Sequence, residues 1–205
     1  MGTDEAIAAI RAGKPVLLPT DTVYGLCTTA DSEDAAFGVY RLKGRAETQP
    51  TALLAATVDD LVTVIPELRG DIGTIVRTLL PGPFTLVVPN PTRRFRWLSG
   101  TRVDSIGVRV PVLPEPTAAV VSAVGAVLAT SANDPGGPNP ASLDDVPQRI
   151  RDGCAVELDL GPLPGTPSTV IDFTGDSPYV IREGVAPSAE ALARVRAALS
   201  LRSAE

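Results

Sequence analysis

Short apolar runs closed off by proline, glycine or a turn residue set the first limit on what this chain can fold into. Pro15–Pro19 (PVLLP), Phe84–Pro89 (FTLVVP), Ala126–Thr130 (AVLAT) and Ser168–Phe173 (STVIDF) are each too short for a core helix. No apolar run reaches the roughly 18 residues of a membrane span. They read as buried strands, with further strands predicted at Thr51–Ala56, Ser105–Val110, Ala155–Leu158 and Pro178–Arg182. Between them the apolar residues take helical spacing. Thr3 or Asp4 can cap a first helix ending near Gly13, and Ser32 can cap one carrying Ala35, Ala36, Val39 and Leu42 that stops at Gly44. Other helices are predicted at Asp59–Ile65, Glu67–Leu80, Pro116–Gly125, near Asp144–Arg151 and from Ser188 onward. Strands and helices mix without a strict βαβα repeat. That pattern predicts an α/β fold, a twisted mixed sheet with packed helices, and disfavours Rossmann and TIM architectures. With 205 residues and no linker longer than a loop, one domain over 1–205 is expected.

Several chemistries are excluded by what is missing. There is no histidine, and the two cysteines, Cys27 and Cys154, stand far apart. A Ser-His-Asp triad is impossible, and with no CxxC and no histidine a structural zinc site is not expected. The thiols read as buried and free, which suits a reducing cytoplasm. The amino terminus lacks a basic segment before an apolar run, so no signal peptide is expected. Neither GxxxxGK[ST] nor GxGxxG occurs. The net charge of −6 argues against nucleic-acid binding as the main task, because phosphate binding draws on Lys and Arg. The cluster Arg93, Arg94, Arg96, Trp97 and Arg102 is the one candidate for a weak RNA contact, by stacking and charge; its alternative is a solvated loop.

Four kinds of segment could carry chemistry. Thr20-Asp21-Thr22 follows a buried strand, where ligands bind in α/β sheets or where an Asx turn satisfies its own backbone. Lys43-Gly44-Arg45 ends a helix; the two cations either complement the helix dipole or converge on one anion. Thr130-Ser131-Ala132-Asn133 ends a strand in small polar donors ahead of the loop Asp134–Ala141, and alternation puts Ser131 and Asn133 on one side. Arg109, between Val108 and Val110, needs a partner or an edge position, while Ser168 and Arg182 mark the start and end of two late strands. Such parts would work by positioning and charge neutralisation around a polyphosphate.

Taken in order, PTDTVYGL, Lys43-x-Arg45, PGPFTLVV, IGVRVP, TSAN, STVID and IREG resemble the YrdC-like family of threonylcarbamoyl-AMP synthases. The resemblance covers nearly the whole chain. It implies a large concave groove over the sheet, with ATP, L-threonine and bicarbonate as substrates and Mg2+ on the phosphates. It implies that the product passes to downstream tRNA threonylcarbamoyl-transferase proteins in the cytoplasm. By position, Lys43 and Arg45 match catalytic residues, and Lys43, Arg45, Ser131, Asn133, Asn139 and Arg182 match nucleotide contacts. Thr20, Thr22, Arg109 and Ser168 match positions near the threonine, and no residue is expected to ligate a metal. The chain departs from the family pattern at Ala46, Thr51, Leu80 and Leu54; at Leu54 a threonine-side histidine is common. A paralogue of the same fold, binding nucleotide or RNA with different or weak activity, is the alternative.

Overall fold

The computed structural model describes residues 2–202. The strands are β1 (Val16–Pro19), β2 (Tyr24–Thr29), β3 (Ala52–Ala55), β4 (Phe84–Pro89), β5 (Ser105–Arg109), β6 (Ala126–Ser131), β7 (Val156–Glu157), β8 (Thr169–Asp172) and β9 (Tyr179–Arg182). The helices are α1 (Thr3–Arg11), α2 (Glu33–Lys43), α3 (Val58–Val64), α4 (Gly70–Leu79), α5 (Glu115–Val124), α6 (Gln148–Asp152) and α7 (Ser188–Arg202). All these strands join one sheet in the order β7-β1-β2-β6-β3-β5-β4-β8-β9. Three parallel pairs (β1/β7, β3/β5, β4/β8) are interspersed among antiparallel ones, so the mixed sheet expected from the sequence is what forms.

Local chemistry explains most boundaries. The Ser32 hydroxyl accepts from the Ala35 amide and starts α2, and Gly44 ends it in the left-handed region at φ 68°. Alternation of buried and half-buried residues along β4 marks a strand with one covered face. One strand, Tyr24–Thr29, is not among those predicted from the sequence. It is buried along almost its whole length and lacks the alternation that betrays a half-exposed strand. Several boundaries also shift, two helix starts among them. The first helix starts at Thr3 after Gly2 with no side-chain cap, and the fourth begins at Gly70 rather than Glu67.

The two faces of the sheet are covered unequally. Tyr40, Leu53, Leu61, Val76, Leu128 and Val195 belong to a core under α2, α3, α4 and α7. Ile10, Val16, Leu18, Cys27, Leu54 and Val121 form a smaller one under α1 and α5. Side chains two residues apart share a face, so Ala52 and Ala129 point to the same side as Leu54 and Val127. That part of the second face, beyond α1 and α5, becomes the floor of a groove.

The groove's near wall depends on close backbone packing. Gly100 has φ 61°, and a Cβ there would lie 2.4 Å from the Thr48 carbonyl oxygen and 2.9 Å from the Pro50 nitrogen. Gly44 is also left-handed but has only Arg149 Nη2 nearby, at 3.7 Å. Gly44→Ala is therefore expected to cost about 1 kcal/mol, lowering Tm by roughly 2–4 °C. Gly100→Ala adds a backbone clash and should lower Tm at least twice as far; equal shifts in thermal unfolding would contradict this packing.

Candidate active site

A groove of about 310 Å³ opens over the middle of the sheet. Its floor is a row of small residues in direct register: Ala129 on β6, Ala52 on β3, Gly107 on β5 and Val87 on β4. Larger side chains in that row would fill the space. The volume lies at the lower end of the ~300–1,000 Å³ typical of small-molecule sites.

The walls are cationic and hydroxylic. Arg45, Arg102, Arg109 and Arg182 all line the groove, with Thr20, Thr22, Thr51, Thr85, Ser99, Ser131 and Ser168 among the hydroxyls. No carboxylate lines it among the described residues. An acidic chain thus concentrates positive charge in one cleft. Arg182 lies close enough to disfavour the charge of Arg109, and Arg45 does the same to Lys43. An anion between such groups offsets that repulsion.

Arg109 stands on the internal strand β5 and is 9% exposed. The partner it requires is Asp21, contacted by Nη2, which also donates to Thr22 Oγ1 at 2.8 Å. Burial pushes the Asp21 carboxyl up, opposed by Arg109, and pushes Arg109 down, opposed by Asp21. Arg109 Nε is buried with no acceptor, and Arg45 Nε is in the same state. Two unspent guanidinium donors in a cleft without carboxylates are prepared for oxyanions. Arg182 donates through Nε and Nη2 to the Ser168 carbonyl at 3.2 and 2.8 Å, and Ser168 Oγ shares a hydrogen bond with Thr85 Oγ1 at 2.8 Å. Gly184 makes this corner possible, because a Cβ there would lie 2.3 Å from the Pro167 carbonyl oxygen.

The structure brings together Thr20, Thr22, Arg45, Arg109, Ser131, Asn139, Ser168 and Arg182 on the groove surface. Lys43 and Asn133 are placed differently. Both are buried one layer behind it. Lys43 Nζ donates to the Ser131 carbonyl (2.6 Å), the Asn133 carbonyl (2.6 Å) and Asn133 Oδ1 (2.7 Å). Asn133 Oδ1 also accepts from Ser131 Oγ at 2.6 Å. All three ammonium protons are spent inside the protein, so Lys43 contributes its charge to the groove from behind. Leu54 does not line the groove either; it is 1% exposed, in register with Arg109, and packs in the apolar cluster under α1 and α5.

The basic loop has a structural job. Trp97 Nε1 donates to the Ala30 carbonyl at 2.9 Å, and Phe95 and Trp97 pack edge to face against the core. Arg94 pairs with Glu67 and Arg102 with Asp172. Both rings are half-buried and packed on the core, so only part of their aromatic surface stays open. Sequence reading missed Thr51, Thr85, Ser99 and Thr101 as groove residues, since an isolated hydroxyl in a loop or strand carries no periodic signal.

Comparison with known proteins gives the same neighbourhood. A family described as telomere recombination (Sua5, YciO and YrdC) matches residues 8–184. A Mycobacterium tuberculosis relative is 32% identical over 187 residues, spanning 89% of this chain and 84% of its own. A Pyrococcus abyssi protein named threonylcarbamoyl-AMP synthase is 32% identical over 186 residues, covering 90% of this chain and 54% of its own. The solved structure of P. abyssi Sua5 complexed with L-threonine superposes with a TM-score of 0.84 at 31% identity, over 94% of this chain and 56% of that one. The chain therefore spans most of the mycobacterial relative and about half of the archaeal one.

Burial, reinforced by Arg45, lowers the Lys43 pKa to about 8, while its carbonyl acceptors favour the charged form and keep it protonated at neutral pH. Deprotonation removes positive charge from behind the groove, so affinity for an anion falls as pH rises. Titrations with sulfate, whose charge is constant over this range, are expected to show affinity stepping down with a midpoint between about 8 and the ordinary lysine value of ~10.4, absent in Lys43→Met. A wild-type affinity that stays flat across that window would contradict it.

Proposed function

The chain belongs to the family shared by Sua5, YciO and YrdC, and on that premise we propose that it joins L-threonine, bicarbonate and ATP into threonylcarbamoyl-AMP and pyrophosphate. The observation that carries this reading is a groove lined by four guanidinium groups and no carboxylate, two of them with an unspent buried Nε.

The chemistry needs little beyond charge and position. The threonine amine adds to the bicarbonate carbon and water leaves, giving a carbamate that is already an anion. A carbamate oxygen then attacks the α-phosphorus of ATP, and the bond to the β-phosphate oxygen breaks to release pyrophosphate. Two anions must meet, so cations that neutralise them lower the barrier. In this reading Arg109, with Thr20, Thr22 and Ser168, holds the amino acid. Arg45, Ser131, Asn139 and Arg182 hold the nucleotide, with Lys43 and Asn133 backing Ser131. The half-buried Asp21 fixes Arg109, so its guanidinium needs no reorganisation when the substrate arrives.

A divalent cation on ATP would travel with the phosphates. No group of three His, Cys, Asp or Glu among the described residues is placed to hold one, and the groove offers hydroxyls but no carboxylate. Mg2+ would thus supply charge neutralisation on the substrate, with water and phosphate oxygens as its ligands. The product would serve threonylcarbamoyl-adenosine formation in tRNA through downstream transferase proteins, in the cytoplasm. No helix among the described residues is long and apolar enough to cross a membrane.

Purified protein with ATP, bicarbonate and labelled L-threonine is expected to release pyrophosphate only when threonine is present, with labelled threonylcarbamoyl-AMP as the other product. Absence of threonine-dependent pyrophosphate sinks the reading. Arg45→Ala is expected to lower kcat/KM by about 100-fold or more. A loss within about threefold, under ~0.7 kcal/mol of barrier, would remove Arg45 from the phosphate site.

A further inference from the structure

Ser99 is 3% exposed, lines the groove, and its Oγ has no hydrogen-bond partner. A buried hydroxyl left unsatisfied costs stability, so its presence calls for a reason. Ser99 is held in place by its loop: its amide donates to the Arg96 carbonyl, the Arg102 amide donates to its own carbonyl, and Gly100 packs against Thr48 and Pro50. Thr51 donates its amide to the Leu98 carbonyl at 2.9 Å, which docks the loop on the segment after Arg45. Arg45 Nη2 is bonded to the Pro50 carbonyl in that same segment, and its Nε is the other unspent donor at this end. Thr101 and Arg102 follow Ser99 and also line the groove.

We propose that Ser99 Oγ and Arg45 Nε together bind one oxyanion, a phosphate of the triphosphate tail that leaves as pyrophosphate; the identity of that anion rests on the nucleotidyl-transfer reading above. Arg45 and Arg102 border this end; Arg102 is already paired with Asp172, so Arg45 supplies the uncompensated charge, and a multiply charged phosphate gains more from it than singly charged bicarbonate. Ser99 is then a substrate-binding residue that no motif marks, contributed by the loop between β4 and β5. A serine retained without a partner inside the protein gains one when the phosphate arrives.

Ser99→Ala separates this role from packing. Its hydroxyl has no partner to lose, so Tm is expected to stay level or rise, while pyrophosphate affinity measured by calorimetry falls about tenfold. Ser99→Cys, which keeps the shape with a weak donor, should fall between the two and serves if the alanine variant folds poorly. In turnover assays the KM for ATP should rise, with the KM values for bicarbonate and threonine unchanged. The proposal is overturned if pyrophosphate binds both variants within twofold of wild type, if the wild type binds none, or if the bicarbonate KM moves instead. Pyrophosphate binding requires no turnover, so this result stands apart from whether threonine drives pyrophosphate release.

Discussion

One ammonium group ties the site together. Lys43 Nζ joins the end of α2 to the end of β6 through two main-chain carbonyls and the Asn133 side chain. Arg45 lies two residues beyond it, past the left-handed turn at Gly44, and Ser131 is one of its acceptors. The groove face of Ser131 and the reach of Arg45 are thus set from one buried point. The contact is fully matched, three donors to three acceptors, which is how a charge is tolerated at 1% exposure. Truncating it would strand those neutral acceptors, and each buried polar group left unsatisfied costs about 1–3 kcal/mol. Arg149 supports the same corner, contacting the Leu42 and Lys43 carbonyls and the Asp134 carboxylate.

A second buried charge contact governs the other end. Asp21 and Arg109 come from β1's trailing turn and from the middle of the sheet, and their pairing keeps a guanidinium on a central strand. The two anchors share a logic. Each charge that faces the groove is fixed by partners behind it, and the groove surface is left free of carboxylates. A protein with net charge −6 thereby presents a cation-rich cleft, while its acidic residues lie elsewhere.

Much of this was legible in the residues. The run Phe84–Pro89 becomes β4 with the same bounds, and the need of Arg109 for a partner followed from its apolar neighbours. The identity of that partner did not, because Asp21 lies 88 residues away and reads locally as a turn former. Tyr24–Thr29 was hidden by its lack of alternation, a consequence of burial on both faces. The inward placement of Lys43 was illegible for a different reason: two of its acceptors are main-chain carbonyls, which every residue has. Ser99 was invisible because its significance lies in a missing partner, which only coordinates reveal. Leu54, where the family resemblance expects a threonine-side histidine, packs in the core and does not line the groove.

The central claim is that guanidinium groups from separate segments hold two anionic reactants in one carboxylate-free groove. A crystal structure with a non-hydrolysable ATP analogue and L-threonine tests it most directly. The account predicts phosphate oxygens within hydrogen-bond reach of Arg45 and the amino-acid carboxylate on the Arg109 side of the same groove, with Lys43 still bound to Ser131 and Asn133. Nucleotide bound outside the groove, or phosphates held by Lys43 after it has left those carbonyls, would contradict it.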